Sequence, residues 1–131
     1  MIAAREIESL VDQIAADWEP ERIILFGSYA YRMPTEDSDI DLMVIRRHRG
    51  SSADAGWRIR AGIEVPFGID ILVHSPAEIR RRIGWGDMFI IDVMKQGIVL
   101  HDSTDRRMGQ QGQRRLRRRL NSAAVPKAQP V

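Results

Sequence analysis

Two aspartates, Asp39 and Asp41, lie one residue apart at the start of the apolar run that ends at Ile45. Side chains of a strand alternate between its faces, so both carboxylates point the same way, with roughly 6.6 Å between their α-carbons. At an effective dielectric constant of about 20, two such charges repel by roughly 2.5 kcal/mol. A divalent cation between them reverses the sign of that interaction. The spacing predicts a metal site, and a strand edge or a solvated turn is the alternative explanation.

A glycine and a serine, Gly27 and Ser28, follow the short strand predicted at Arg22–Phe26. Glycine permits a tight turn in which the backbone comes close to a ligand, and serine can begin a helix whose free amides face an anion. A phosphate group fits such a turn. An ordinary turn with a helix cap is the alternative explanation of the same two residues.

A third carboxylate, Asp70, interrupts the apolar strand predicted at Phe67–Val73. A buried, unpaired charge costs several kcal/mol, so Asp70 either has a function, lies at an exposed strand edge or pairs with an arginine. If the third strand lies beside the second, Asp70 joins Asp39 and Asp41 in one cluster. Three carboxylates with a hard cation can bind a triphosphate and stabilise the charge that builds during in-line attack on phosphorus.

The elements that must position these residues alternate between helices and strands. Apolar spacing, capping residues and breakers predict helices that end at Glu19 and Gly97, with two more between them at Ala53–Ile63 and Ser75–Ile83. The predicted strands are Arg22–Phe26, Asp39–Ile45, Phe67–Val73 and Ile98–Leu100. This order predicts an α/β or α+β fold with a mixed sheet flanked by helices.

The composition excludes several classes of function. The chain has 131 residues and no cysteine, which excludes disulfides, thiolate zinc sites and cysteine nucleophiles. No run approaches the roughly 20 apolar residues of a membrane span, and the first helix carries several charges. We expect a cytoplasmic protein that does not enter a membrane.

The charge divides the chain into two parts. Residues 1–101 hold 12 Lys or Arg against 16 Asp or Glu, whereas residues 102–131 hold 8 against 2. We therefore predict one folded domain at 1–101 and a basic, disordered tail at 102–131. The tail could instead contact nucleic acid or an acidic partner surface, with Leu116 and Leu120 on one side of a short helix formed on contact.

The run from Gly27 to Leu42, GSYAYRMPTEDSDIDL, resembles the signature of the polymerase-β-type nucleotidyltransferase superfamily. In length and pattern the chain is most similar to the minimal nucleotidyltransferases, which are often encoded beside a HEPN-domain toxin as its antitoxin. The likeness covers roughly residues 1–101. It implies the polymerase-β-type nucleotidyltransferase fold, ATP and Mg²⁺ as cofactors, and transfer of AMP to a hydroxyl (AMPylation).

The same resemblance implies roles for individual residues. Gly27 and Ser28 would hold the β- and γ-phosphates. Asp39 and Asp41 would bind the metals, and Asp70 would complete the metal site and help to deprotonate the acceptor. Many members have arginine then glycine where this chain has Tyr31 and Arg32, so Arg32 is expected to supply the missing basic group.

The resemblance also implies a partner. A tyrosine of a HEPN toxin is the expected acceptor, and the two proteins would form a hetero-oligomer. The departure at Tyr31 and Arg32 supports one alternative, a non-catalytic antitoxin that neutralises its partner by binding and keeps only a vestigial nucleotide site.

Overall fold

The computed structural model of the chain describes residues 1–124, in which four strands and six helices follow one another. The helices are α1 (Ala4–Trp18), α2 (Ser28–Tyr31), α3 (Ser52–Ala61), α4 (Pro76–Gly84), α5 (Met88–Gln96) and α6 (Arg106–Ala124). The strands are β1 (Arg22–Phe26), β2 (Ile40–Ile45), β3 (Ile69–His74) and β4 (Ile98–Asp102). Over this part of the chain, no helix is both long and apolar enough to cross a membrane.

The four strands form one mixed sheet in the order β3-β2-β1-β4, which confirms the predicted fold class. Strand β1 runs antiparallel to both β2 and β4, whereas β2 and β3 are parallel. The carboxyl end of β1 therefore lies beside the amino ends of β2 and β3. In that register Phe26 lies opposite Asp41, and Asp41 lies opposite Asp70.

Helices cover both faces of the sheet because every central strand is apolar on both sides. One face packs against α1, α3 and α6, and its core includes Ile7, Leu10, Leu25, Leu42, Ile59 and Leu116. The other face packs against α4 and α5 through Ile24, Met43, Ile79, Ile90 and Val93. Asp41 and Asp70 belong to this second face by strand alternation, and Leu72 beyond them remains partly exposed.

The helices and strands predicted before residue 101 are present, with ends within about two residues of the predicted ones. The cap residues explain this agreement. Ser75 and Glu78 form the predicted capping box at the start of α4, and the Asp87 side chain accepts a hydrogen bond from Ile90 N–H at the start of α5.

The predicted disordered tail is wrong for residues 106–124, which form helix α6. Among the residues of α6 whose side chains are described, only Leu116 and Leu120 supply large buried apolar side chains, so the helix depends on close backbone packing instead. A Cβ at Gly112 would overlap the carbonyl oxygen of Val99, and one at Gly109 would lie 3.3 Å from that of Leu100. The two glycines thus let α6 rest directly on β4. The folded domain extends past residue 101, and residues 125–131 of the predicted tail lie outside the described residues.

The turn before α6 is fixed by a buried carboxylate, Asp102. It accepts hydrogen bonds from Arg22 Nε at 2.8 Å and from the backbone and hydroxyl of Thr104, both at 2.8 Å. Burial alone would raise the pKa of Asp102, but these hydrogen bonds and the Arg22 charge outweigh it and lower the pKa. Farther along α6, Arg117 Nε donates to Glu8 of α1 at 3.0 Å. Polar contacts therefore supplement the sparse apolar ones.

Candidate active site

Three carboxylates meet at the edge where β1 ends and β2 and β3 begin. Asp41 lies directly opposite Asp70 in the parallel register, and their carboxyl groups are within hydrogen-bonding reach of each other. Asp39 immediately precedes β2 and acts on Asp41 as a neighbouring negative charge. Asp41 is half-buried, whereas Asp39 and Asp70 are exposed. The strand order thus brings Asp70 beside the Asp-x-Asp pair.

The crowding of these carboxylates changes how Asp41 titrates. Burial, followed by the charge and hydrogen bond of Asp70 and the charge of Asp39, raises the pKa of Asp41 to about 6. Arg32 acts in the opposite direction and lowers it. Between about pH 4 and pH 6 the site therefore holds a proton that an isolated aspartate would release. A divalent cation would take the place of that proton.

The donor set fits a hard cation, because all three side chains offer only carboxylate oxygens. In the part of the chain whose side chains are described, no group of three or more His, Asp or Glu residues is already arranged as a metal site. The charges of Asp70 and Asp39 nevertheless both act on Asp41. Asp39 and Asp70 are exposed, so rotation between staggered rotamers can bring their oxygens toward one ion.

Gly27 brings the backbone of the following turn against the Asp41 carboxylate. Its φ of 73° and ψ of −151° lie in a region that is essentially open to glycine alone, and a Cβ here would overlap Asp41 Oδ2. Helix α2 starts at Ser28, and the N–H groups of Ala30 and Tyr31 donate to Gly27 O at 3.0 Å. The predicted Gly-Ser turn therefore lies next to the carboxylates.

At Gly68 the backbone also comes close to a carboxylate of the site. The sequence analysis did not identify this glycine. A Cβ at Gly68 would overlap Asp39 Oδ1, and Gly68 O accepts a hydrogen bond from Ile40 N at 3.0 Å. The missing side chain lets the start of β3 lie against Asp39. The available signal was a glycine two residues before Asp70, at the start of a predicted strand.

Arg119 of α6 also belongs to the surroundings of the site, although it comes from the segment predicted to be disordered. Its Nε donates to Tyr29 O at 2.7 Å, and its Nη2 donates to Ser28 O at 3.0 Å and to Arg32 O. Burial and then the nearby Arg115 lower the pKa of Arg119 from its very high ordinary value. One guanidinium thus ties α6 to the carbonyls of the short helix that follows Gly27. No feature of the local sequence predicts this contact.

Arg32 itself is exposed at the end of α2, with its guanidinium carbon 6.0 Å from the centroid of the Tyr31 ring. Its charge reaches the Asp41 carboxyl, whose pKa it lowers. The side chain therefore stands where a cation could act on a ligand held by the carboxylates.

The histidines lie away from this cluster. His74 ends β3, four residues beyond Asp70, and its Nδ1 lies 3.2 Å from Glu78. His48, whose side chain is 7% exposed, bonds the same carboxylate at 2.6 Å. Burial would raise the pKa of Glu78, but hydrogen bonds from Ser75 N–H and from these side chains hold it well below its ordinary range. This network joins β3 to α4.

Comparison with known proteins decides the family. The family model described as "Nucleotidyltransferase domain" matches residues 7–104. The chain belongs to the nucleotidyltransferase domain family. The matched range contains the Gly-Ser turn and all three carboxylates of the candidate site, whereas α6 of this nucleotidyltransferase-domain protein lies beyond it.

A solved structure gives the same fold. It is the crystal structure of an inferred nucleotidyltransferase from Sulfolobus solfataricus at 1.40 Å resolution, which superposes with a TM-score of 0.56 at 18% sequence identity. The alignment covers 78% of this chain and 82% of the other. No curated protein sequence matches the chain at a significant level.

Proposed function

We propose that this nucleotidyltransferase-domain protein transfers AMP from ATP to a hydroxyl group of a partner protein, with Mg²⁺ as cofactor. The proposal is carried by one observation, the register that sets Asp70 beside Asp41 next to the Gly27 turn. In the reaction the acceptor oxygen attacks the α-phosphorus and forms a new P–O bond. The bond to the oxygen that bridges to the β-phosphorus breaks, and pyrophosphate leaves.

The three carboxylates have distinct roles in this proposal. Asp39 and Asp41 hold Mg²⁺, which, when bound, neutralises the charge that builds on the phosphate oxygens. Asp70 completes the metal site and accepts the proton of the attacking hydroxyl. The raised pKa of Asp41 supports these assignments, because burial and then the neighbouring carboxyls of Asp70 and Asp39 disfavour its charged form when no cation is bound.

The Gly27 turn and Arg32 are proposed to bind the triphosphate. The absence of a side chain at Gly27 would let backbone amides come close to a phosphate held beside Asp41. The charge of Arg32 lowers the pKa of Asp41, and we assign its guanidinium to the phosphate oxygens held beside that carboxylate.

An apolar surface beside the carboxylates supports a protein as the acceptor. Leu72 follows Asp70 by two residues on the same face of β3, and Phe89 packs edge-on against Phe26 with 5.5 Å between ring centroids. Trp85 at the end of α4 and Met88 at the start of α5 are 72% and 64% exposed. Large exposed apolar side chains, aromatic ones above all, are typical of surfaces that bind proteins.

The identity of the partner rests on the resemblance to the minimal nucleotidyltransferases. We propose that it is a HEPN-domain toxin, modified on a tyrosine, and that the chain acts as its antitoxin within a hetero-oligomer. The alternative remains a non-catalytic antitoxin that neutralises by covering its partner. The departure at Tyr31 and Arg32 is the observation that favours it.

The two functions are separated by labelling the HEPN partner with ATP that carries ³²P at the α- or the γ-phosphate, in the presence of Mg²⁺. AMP transfer predicts label from the α-position only, and none with the Asp41→Asn variant. Asp37→Asn is the matched control, because Asp37 is an exposed carboxylate in the loop before the site. Unlabelled partner that is still neutralised by wild type and by Asp41→Asn would favour occlusion instead.

A further inference from the structure

Helix α6 presents a row of arginines to solvent. Arg107, Arg114 and Arg118 are all exposed and lie seven and then four residues apart, so they share one side of the helix. The buried residues of α6, which include Gly112, Leu116 and Leu120, lie on the opposite side against the sheet. At 1.5 Å per residue the row is roughly 16 Å long.

Packing does not require this charge. Residues 106–124 contain no Asp or Glu, and among the residues whose side chains are described the one ion pair of α6 joins Arg117 to Glu8. Arg114 and Arg118, four residues apart, form a like-charge pair, which destabilises a helix by a few tenths of a kcal/mol. A polyanion bound along the row would offset this repulsion.

Acidic and basic residues are distributed unequally along the chain. Residues 1–101 carry more acidic than basic residues, with 16 against 12, so the positive surface is concentrated on α6. Long-range attraction of an anionic ligand would therefore be directed to this helix and away from the acidic cluster around Asp41.

The composition of the row favours a nucleic acid over a protein partner. All charged side chains of α6 are arginines, whose planar guanidinium groups pair with two oxygens of a phosphate or a carboxylate at once. The solvent side of the helix has no large apolar residue, whereas a protein–protein interface is typically centred on apolar or aromatic side chains. We propose that the row Arg107, Arg114 and Arg118 binds the phosphodiester backbone of single-stranded nucleic acid, independently of base sequence.

Fluorescence anisotropy with a labelled 20-nucleotide RNA of mixed sequence tests this proposal on the full chain. Each phosphate neutralised contributes about −0.7 to the slope of log K against log salt, so three arginines predict a slope near −2. Changing all three arginines to glutamine should weaken binding by about tenfold or more at 50 mM salt and flatten the slope by about 2. Circular dichroism establishes that the variant remains helical.

The matched control removes the same charge from other elements. Arg5, Arg49 and Arg80 are exposed on α1, on the loop after β2 and on α4, and their joint replacement by glutamine should change RNA affinity less than about threefold. An equal loss in this control would overturn the proposal, because net charge rather than the row would then explain binding. Wild-type protein that fails to bind RNA, or polyglutamate that competes as well as RNA of equal charge, would overturn it too.

Discussion

Asp70 lies directly opposite Asp41 in the parallel pair of strands β2 and β3, and its carboxyl group, after burial, is the next largest cause that raises the pKa of Asp41. In the absence of a cation, this juxtaposition is unfavourable at neutral pH. Under the proposed function a divalent ion bound here would make the juxtaposition favourable, because the same oxygens would become its ligands. Stability and function are therefore expected to oppose each other at this site.

Asp41→Asn should stabilise the metal-free protein while it abolishes AMP transfer. The folded-state pKa of Asp41, about 6, exceeds its ordinary value of 3.8, so the folded protein loses stability as pH rises from about 4 through 6. After allowance for solvent screening of this half-buried group, the variant should gain about 1 kcal/mol at pH 7. Urea unfolding in EDTA at pH 4 and pH 7 measures the difference. A variant less stable than wild type at pH 7 would contradict it.

Gly27→Ala should abolish nucleotide binding, because a methyl group at this position overlaps Asp41 Oδ2. Gly50→Ala is the matched control, since Gly50 also has a positive φ, of 70°, but no atom lies within 4 Å of its added Cβ. Because φ is positive at both positions, both variants incur backbone strain, of roughly 1–3 kcal/mol. Calorimetric titration with ATP and Mg²⁺ should therefore show lost binding in the first variant and normal binding in the second. Equal affinities would show that the turn does not contact the nucleotide.

Arg119→Gln should raise KM for ATP, by about tenfold, because the turn after Gly27 loses the guanidinium that holds its carbonyls. Arg114→Gln, on the solvent side of α6, should leave KM unchanged. Arg119→Lys should restore little, because an ammonium cannot reproduce the forked contacts. Steady-state transfer kinetics measure KM and kcat separately. A loss of thermal stability with unchanged KM would assign Arg119 a purely structural role.

Gly112→Ala should displace α6 from β4. Alanine usually stabilises a helix interior relative to glycine by about 0.5–1 kcal/mol, but the added methyl overlaps the Val99 carbonyl oxygen here. We expect a net loss of about 2 kcal/mol, which urea unfolding measures. Gly109→Ala, with 3.3 Å to Leu100 O, should cost much less. Equal stability of both variants would show that α6 does not pack as closely as described.

The parts of the site that could be predicted from sequence are those encoded locally. Gly27 with Ser28 and Asp39 with Asp41 are short motifs at strand ends, so their positions follow once the strands are recognised. A local motif was not enough to assign Asp70 to the site. Its assignment depends on β3 lying beside β2, and strand order is a long-range property.

The other features of the fold and the site could not be predicted, because their signals in the sequence are weak or ambiguous. Helix α6 buries few large side chains, and its glycines, which usually weaken a helix, here permit contact with β4. Arg119 stands among similar arginines, and only the fold distinguishes the one that points inward. Gly68 gives no sign of its closeness to Asp39 until β2 and β3 are paired.

The proposed metal and nucleotide site is tested most directly by calorimetric titration of ATP into the full chain at pH 7.5, with Mg²⁺ and with EDTA. We predict Mg²⁺-dependent binding by the wild type, loss of binding in the double variant Asp41→Asn, Asp70→Asn, and normal binding in Asp37→Asn. Equal affinity of the double variant and the wild type, or binding that persists in EDTA, would contradict the role assigned to these carboxylates.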